Sequence, residues 1–308
     1  MIINERITFQ RILCPTDLSA DSNEGLRYGI ALARAYDAKL QVCHCIESPS
    51  LDGGPDCEQV KNLIEDMIKQ HFRLPVPAPL DWECVIVEGD PATTIAREAA
   101  ERRIDLIVMR SRRRPLAAAL LGSVAESTCR IAPCPVLVTH AQEHEWAGMS
   151  TNEIDLGRIA VAYDFSSDAE LALSYALSLA QEYQAELHVI HVLPPRPKHE
   201  APEIARLPQS AEVRFAEVAG RLQTAVPTEA TLWCEIKQSV REGQPYREVL
   251  DYVEENNIDL ICMGATGTGF GMRSLFGSNV DRVLRQAVCP VLIARPLRPV
   301  HSDGPPIA

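Results

Sequence analysis

The stretch ILCPTDLSADSNEGLRYGIALARAYDAKLQVCHCIE (12–47) returns as IAVAYDFSSDAELALSYALSLAQEYQAELHVIHVLP (159–194), at a constant offset of 147 residues. Asp17 falls on Asp164 and His44 on His191. Further along, EGDP (88–91) matches EGQP (242–245), IDLIVM (104–109) matches IDLICM (258–263) and CPVLV (134–138) matches CPVLI (289–293), at an offset of 154 to 155. Only loops have changed length, so whatever one half folds into, the other must fold into as well. The 308 residues suffice for two such units. The expected division is a first domain over 1–140, a polar linker over 141–157 that matches nothing, a second domain over 158–296 and a disordered tail over 297–308.

Within each half, short β-branched runs alternate with helical periods. Strands are expected at RILCPTD, KLQVCHCI, WECVIVE, DLIVM and PVLVT, with helices over about 22–36, 57–72, 91–103 and 122–131 between them. Such alternation builds βαβ units around a parallel sheet covered on both faces. The unbroken apolar character of DLIVM and DLICM fits strands buried on both sides. Asp90 before Pro91 and Gln244 before Pro245 read as helix starts.

A formal charge of -12 and a pI near 5.2 argue against nucleic acid or an anionic membrane as partner. The N-terminus lacks a signal-peptide pattern and no run of 18 apolar residues occurs, so a cytoplasmic location is expected. The ten cysteines lie singly in apolar runs or before prolines and read as reduced, buried thiols. Cys43-His44-Cys45 is not a metal site, because in a strand the two thiols face one way and the imidazole the other.

One loop carries chemistry. GATGTGFGMRSLFGS (264–278) follows the strand DLICM directly and leads into a helix at Gly277-Ser278. In an open α/β sheet, ligands sit beyond the carboxyl ends of strands where the strand order reverses. Glycines there let backbone N–H groups converge, and a helix terminus with a hydroxyl favours phosphate. Neither common nucleotide fingerprint is met: no Gly-Lys pair exists for a P-loop, and the loop follows a late strand with the wrong glycine spacing for a dinucleotide site.

Gly264-x2-Gly267-x9-Gly277-Ser278, beside an Asp after the first strand and a His-Val in the second, resembles the nucleotide motif of the universal stress protein family. Both halves resemble that domain. The resemblance implies an α/β fold of two tandem doubly wound domains, each with five parallel strands ordered 3-2-1-4-5. Because each half ends in an edge strand, PVLVT or PVLIA, that would otherwise expose unpaired backbone groups, the two are expected to pack as an intramolecular pseudo-dimer. The resemblance further implies that Ala162, Tyr163 and Asp164, with Val192 and Met263, line adenine and ribose. Gly264, Gly267, Gly277, Ser278 and Asn279 then hold the phosphates of ATP, carried with Mg2+. His191 reads as a packed histidine, since no nucleophile pairs with it.

The first half departs from this motif. After IDLIVM comes RSRRRPLAAALLGS, one residue shorter, with Arg110 in the place of Gly264 and Arg112, Arg113 and Arg114 in the glycine loop. Side chains there obstruct close backbone approach, so the triphosphate cradle is expected to be missing. Two readings stay open: a solvated or acid-paired basic loop, or a distinct anion site built from Asp17, Arg110, Arg112, Arg113, Gly122 and Ser123. The expected function is cytosolic ATP-binding regulation in a stress response, with slow ATP hydrolysis or adenylate chemistry as the alternative. Homo-dimerisation is left open.

Overall fold

The computed structural model describes residues 6–46, 57–71, 80–111, 123–140, 146, 154–195, 211–266 and 277–296. In the first half, β1 (Arg11–Thr16), β2 (Lys39–Ile46), β3 (Trp82–Glu88), β4 (Leu106–Arg110) and β5 (Val136–Thr139) alternate with α1 (Ala20–Ala35), α2 (Cys57–His71), α3 (Pro91–Glu101) and α4 (Ser123–Ile131). The second half follows suit with β6 (Arg158–Ala162), α5 (Ser167–Tyr183), β7 (Glu186–Leu193), α6 (Ala211–Ala225) and β8 (Ile236–Glu242). It continues through α7 (Pro245–Glu255), β9 (Leu260–Gly264), α8 (Ser278–Gln286) and β10 (Val291–Ala294), and adds a 3-10 turn over Thr228–Leu232 before β8.

Local chemistry sets the helix starts. Ser19 and Ser166 cap α1 and α5, each side chain accepting a backbone N–H three residues on. Asp90 caps α3 by accepting the Thr93 N–H at 3.0 Å, whereas Gln244 at the same place on α7 makes no side-chain cap. The repeated Ile-Asp-Leu also gains a reason. Asp105 Oδ2 accepts the N–H groups of Gln10 and Arg11, and Asp259 Oδ2 those of Gly157 and Arg158, at 2.7 to 3.0 Å. Each carboxylate therefore anchors the start of its half's first strand.

The ten strands of the described residues form one sheet, in the order β3-β2-β1-β4-β5-β10-β9-β6-β7-β8. Within each half the pairing is parallel and the order is 3-2-1-4-5, as expected. The halves join edge to edge, β5 antiparallel to β10 with Leu137 opposite Leu292, which satisfies backbone groups that each half alone would leave exposed. Strand alternation gives each face its own core. Ile12, Val161 and Leu260 face the layer of α1, α2, α5 and α6, while Leu13, Ala160 and Ile261 face that of α3, α4, α7 and α8.

The connecting stretch differs from a plain polar spacer. Trp146 is 2% exposed, packs edge-on to Tyr28 at 4.8 Å between ring centroids, and accepts the Asp155 N–H on its carbonyl at 2.8 Å. Leu156 is also buried, and His140 Nε2–H donates to the Leu284 carbonyl at 2.6 Å. Two halves meeting at a sheet edge leave apolar helix faces to be covered, and these residues cover them. Most of 141–157, and all of the tail 297–308, lie outside the described residues.

Near the amino ends of β7 and β8, His188 is 1% exposed, with Nδ1 2.9 Å from the Tyr252 hydroxyl and Nε2 3.4 Å from Glu186. Lys237 and Arg158 also reach Glu186. Burial outweighs the neighbouring carboxylate and holds the imidazole below its ordinary range. A histidine kept neutral when folded, but free to take up a proton when unfolded, loses stability as pH falls below about 6.5. His188→Gln, which installs the residue found at the matching Gln41, is expected to flatten that acid-side decline in urea melts taken between pH 7 and 5.

Candidate functional site

β6 and β9 lie side by side with Ala162 in register with Met263, and β9 continues beside β10 with Gly264 opposite Ala294. The strand order reverses between β6 and β9, so Tyr163, Asp164 and Gly264 come together at one crevice. Val192 on β7 flanks it, and Val192 and Ala162 pack on the same face as Met263. Ala162, Val192 and Met263 thus share one face beside Asp164 and Gly264 at the strand ends, whereas the Tyr163 side chain is 5% exposed and packs in the core of the opposite face.

The turn after β6 is tightly specified. Asp164 Oδ1 accepts the Ser166 N–H at 3.1 Å and the Ser166 hydroxyl, Ser166 caps α5, and Phe165 between them has φ 63°. Asp17, Leu18 and Ser19 repeat this in the first half, with φ 63° at Leu18. A bulky residue at positive φ is strained, so the turn is held by its neighbours. Phe165 lies between the His191 ring, 4.9 Å away, and the Arg221 guanidinium, 3.8 Å from its centroid. His191 Nδ1–H donates to the Tyr163 carbonyl at 2.8 Å, and burial lowers its pKa. It is a neutral clamp between β7 and the turn, and His44 makes the matching contact to the Thr16 carbonyl at 2.9 Å.

Gly264 has a structural reason that the motif does not reveal. A Cβ there would stand 2.6 Å from the carbonyl carbon and the Cβ of Asp168, on the first turn of α5. Asp168 Oδ2 in turn accepts the Thr266 N–H at 2.9 Å and the Thr266 hydroxyl, tying α5 to the start of the glycine loop. Nothing in the local sequence of Asp168 marks this role. In the first half the close approach lies one helical turn further on, at Gly25, which matches Ala172. Arg110 carries its side chain because Gly25 on α1 lacks one, and a Cβ at Gly25 would sit 3.1 Å from the Arg110 Cβ. Gly264→Ala is therefore expected to destabilise the protein by about 1 to 3 kcal/mol. Gly25→Ala should cost less, because its nearest approach is the looser one; chemical denaturation of both variants checks the ranking.

The loop closes at α8. The Gly277 N–H donates to the Ala265 carbonyl at 3.2 Å, which sets the helix start beside the crevice. Gly277 is the N-cap, at φ -63° and ψ 136°, and makes no side-chain cap, so the first-turn N–H groups past it, from Ser278 and Asn279 onward, have no partner within the helix. Ser278 is exposed and Asn279 half-buried. Gly267 lies outside the described residues, as do Arg112, Arg113, Arg114 and Gly122 in the first half. Ser123 begins α4 and Arg110 ends β4, the strand paired parallel with β1 ahead of the Asp17 turn. Among the described residues no group of three or more His, Cys, Asp or Glu could hold a metal ion.

The sequence profile of the universal stress protein family matches residues 8–140 and again 156–295. The chain belongs to the universal stress protein family. A universal stress protein of Mycolicibacterium smegmatis is 26% identical over 310 aligned positions, covering 92% of this chain and 97% of that one. One from Thermus aquaticus is 34% identical, covering 44% of this chain and 97% of its own length. The crystal structure of a universal stress protein from Archaeoglobus fulgidus covers 94% of this chain and 97% of that one at 25% identity, with a TM-score of 0.60. The tandem arrangement of this chain is thus shared at full length by other universal stress proteins. No helix among the described residues is long and apolar enough to cross a membrane.

Proposed function

We propose that the second half binds one ATP, carried with Mg2+, and that this universal stress protein is a cytosolic regulator that reports nucleotide state rather than an enzyme. The observation that carries the reading is the α8 terminus, without a side-chain cap and fastened through Gly277 to Ala265, beside a crevice floored by Ala162, Val192 and Met263. Apolar side chains there suit a base, and free helix N–H groups suit phosphate. Asp164, fixed at the turn by the Ser166 N–H and hydroxyl on its Oδ1, is the side chain assigned to the ribose. With no acid cluster in the described residues, Mg2+ would be held chiefly by the phosphates.

The domain division follows from the same reading: nucleotide in 158–296, and none in 1–140, where Arg110 replaces Gly264. Charge attracts from a distance, but a cradle needs backbone N–H groups within about 3 Å of oxygen. An anion site built from Asp17, Arg110, Arg112, Arg113, Gly122 and Ser123 is a separate expectation of the first crevice. Calorimetric titration of the whole chain with ATP and Mg2+ is expected to give one site per chain, with no product release over hours. Two equivalent sites would remove the division of labour, and steady release of ADP or pyrophosphate would make the protein a hydrolase or an adenylate-transfer enzyme.

A further inference from the structure

The second crevice carries charge that the matching positions of the first half lack. Ala92 is matched by Tyr246, Thr93 by Arg247 and Ser127 by Arg282, while the capping Asp90 is matched by the uncharged Gln244. Thr94 is matched by Glu248, so the rim formed by the start of α7 and the first turns of α8 is on balance two charges more positive than its first-half counterpart. It belongs to a chain of net charge -12, so the local excess is not a reflection of composition. α7 and α8 follow β8 and the loop after β9, which places their amino ends at the carboxyl end of the sheet, where the crevice opens.

These residues form one assembly. The Arg282 guanidinium carbon lies 4.7 Å from the centre of the Tyr246 ring, and Arg247 Nε–H donates to the Tyr246 hydroxyl at 2.8 Å. Tyr246 is half-buried and packs on the core face that also carries Ala162 and Val192. Arg282 stands four residues after Ser278 on α8, so the two share a helix face with Cβ atoms about 5 to 6 Å apart. The other cations nearby are occupied. Arg285 is bound to Asp281 at 2.9 Å and to Glu126 at 2.9 Å, and Arg241 is bound to Glu255. Arg285 thereby neutralises Asp281, the acid nearest the α8 terminus. Among the described residues neither Arg282 nor Arg247 has a carboxylate partner.

We propose that Arg282, aligned by the Tyr246 ring, is the side chain that recognises the distal phosphates of a nucleoside polyphosphate seated on Ser278, with Arg247 as the outer cation of the same rim. This rests on the nucleotide reading of the second crevice. A cation over an aromatic face is fixed in direction while its N–H groups stay available to a ligand. The consequence is selectivity by phosphate number, since adenosine and AMP end short of Arg282 while di- and triphosphates reach it.

The test is calorimetry on the full chain with adenosine, AMP, ATP with Mg2+, and tripolyphosphate. The proposal predicts that Arg282→Gln weakens ATP and tripolyphosphate about tenfold, as loss of a hydrogen bond to a charged group does, and leaves adenosine and AMP unchanged. Arg282→Lys should recover part of the loss. Tyr246→Phe should keep ATP affinity, and Tyr246→Ala should lower it about threefold by releasing Arg282. Equal ATP affinity in wild type and Arg282→Gln would overturn the proposal, and so would an equal loss for adenosine and ATP, which marks a structural role. The two readings fail separately. If tripolyphosphate binding depends on Arg282 while neither adenosine nor ATP competes for it, the anion site stands and the nucleotide reading falls. If wild type binds neither ATP nor tripolyphosphate, both fall.

Discussion

Gly277→Val is expected to remove ATP binding from a protein that still folds. Residue 277 is the N-cap of α8 and the last residue of the glycine loop, and its N–H is already committed to the Ala265 carbonyl. Its backbone conformation is open to any residue, so valine does not unfold the helix start. The cost falls on the ligand, because a branched side chain at the cap occupies the space in front of the free N–H groups where phosphate oxygens must come within about 3 Å. A loss of at least about a hundredfold, near 2.8 kcal/mol, is the expected size. Ser278→Ala should cost less, about 0.5 to 1.5 kcal/mol, since it deletes one hydroxyl hydrogen bond and leaves the terminus open. Titration calorimetry beside a thermal melt separates binding from folding. An unaltered affinity in Gly277→Val with a native melt would take the phosphate away from α8.

The repeat made most of this architecture readable. Residues that recur at fixed offsets, such as Asp17 with Asp164 and His44 with His191, proved to make the same contacts in both halves. The strands were legible because each is a short apolar run between clear helix starts, and the edge pairing of PVLVT with PVLIA followed from the need to satisfy exposed backbone. What sequence reasoning missed depends on contacts far apart in the chain. Asp168 meets Gly264 and Thr266 across 96 to 98 residues, and no local pattern marks an aspartate in a first helical turn as a partner for a distant loop. The exchange of glycine between Gly264 and Gly25 could have been noticed by setting the halves side by side, since each half has one glycine where the other has a larger residue. Trp146 was lost in a stretch that reads as polar, because one buried aromatic does not alter a segment's average. Tyr246 and Arg282 were passed over for the same reason: each is ordinary on its own helix, and only their approach at 4.7 Å gives them meaning.

Separating the halves is expected to leave neither one as a stable monomer. A chain ending near residue 140 would expose β5, whose four residues are all buried in the whole protein, together with the unpaired backbone that β10 now satisfies. It would also lose Trp146, which covers Tyr28, and the bond from His140 to the Leu284 carbonyl. The second half would expose β10 in the same way, take Glu126 from Arg285, which is 17% exposed and keeps Asp281, and strand Arg295, which donates to the Cys129 and Arg130 carbonyls. Burying an edge strand and a tryptophan outweighs one partly exposed ion pair and the Arg295 hydrogen bonds to carbonyls, so the apolar terms should dominate. Trp146→Ala in the intact chain isolates one of them and is expected to cost about 3 to 5 kcal/mol, the range for deleting a large buried aromatic. Urea denaturation of that variant gives the number, and size-exclusion chromatography of the two expressed halves gives the wider result. Mixed, they should elute together at the size of the whole chain; alone, each should pair with itself or aggregate. Two halves that run as monomers, ignore one another when mixed and melt at the temperature of the intact protein would show that the antiparallel seam between β5 and β10 contributes nothing to the fold.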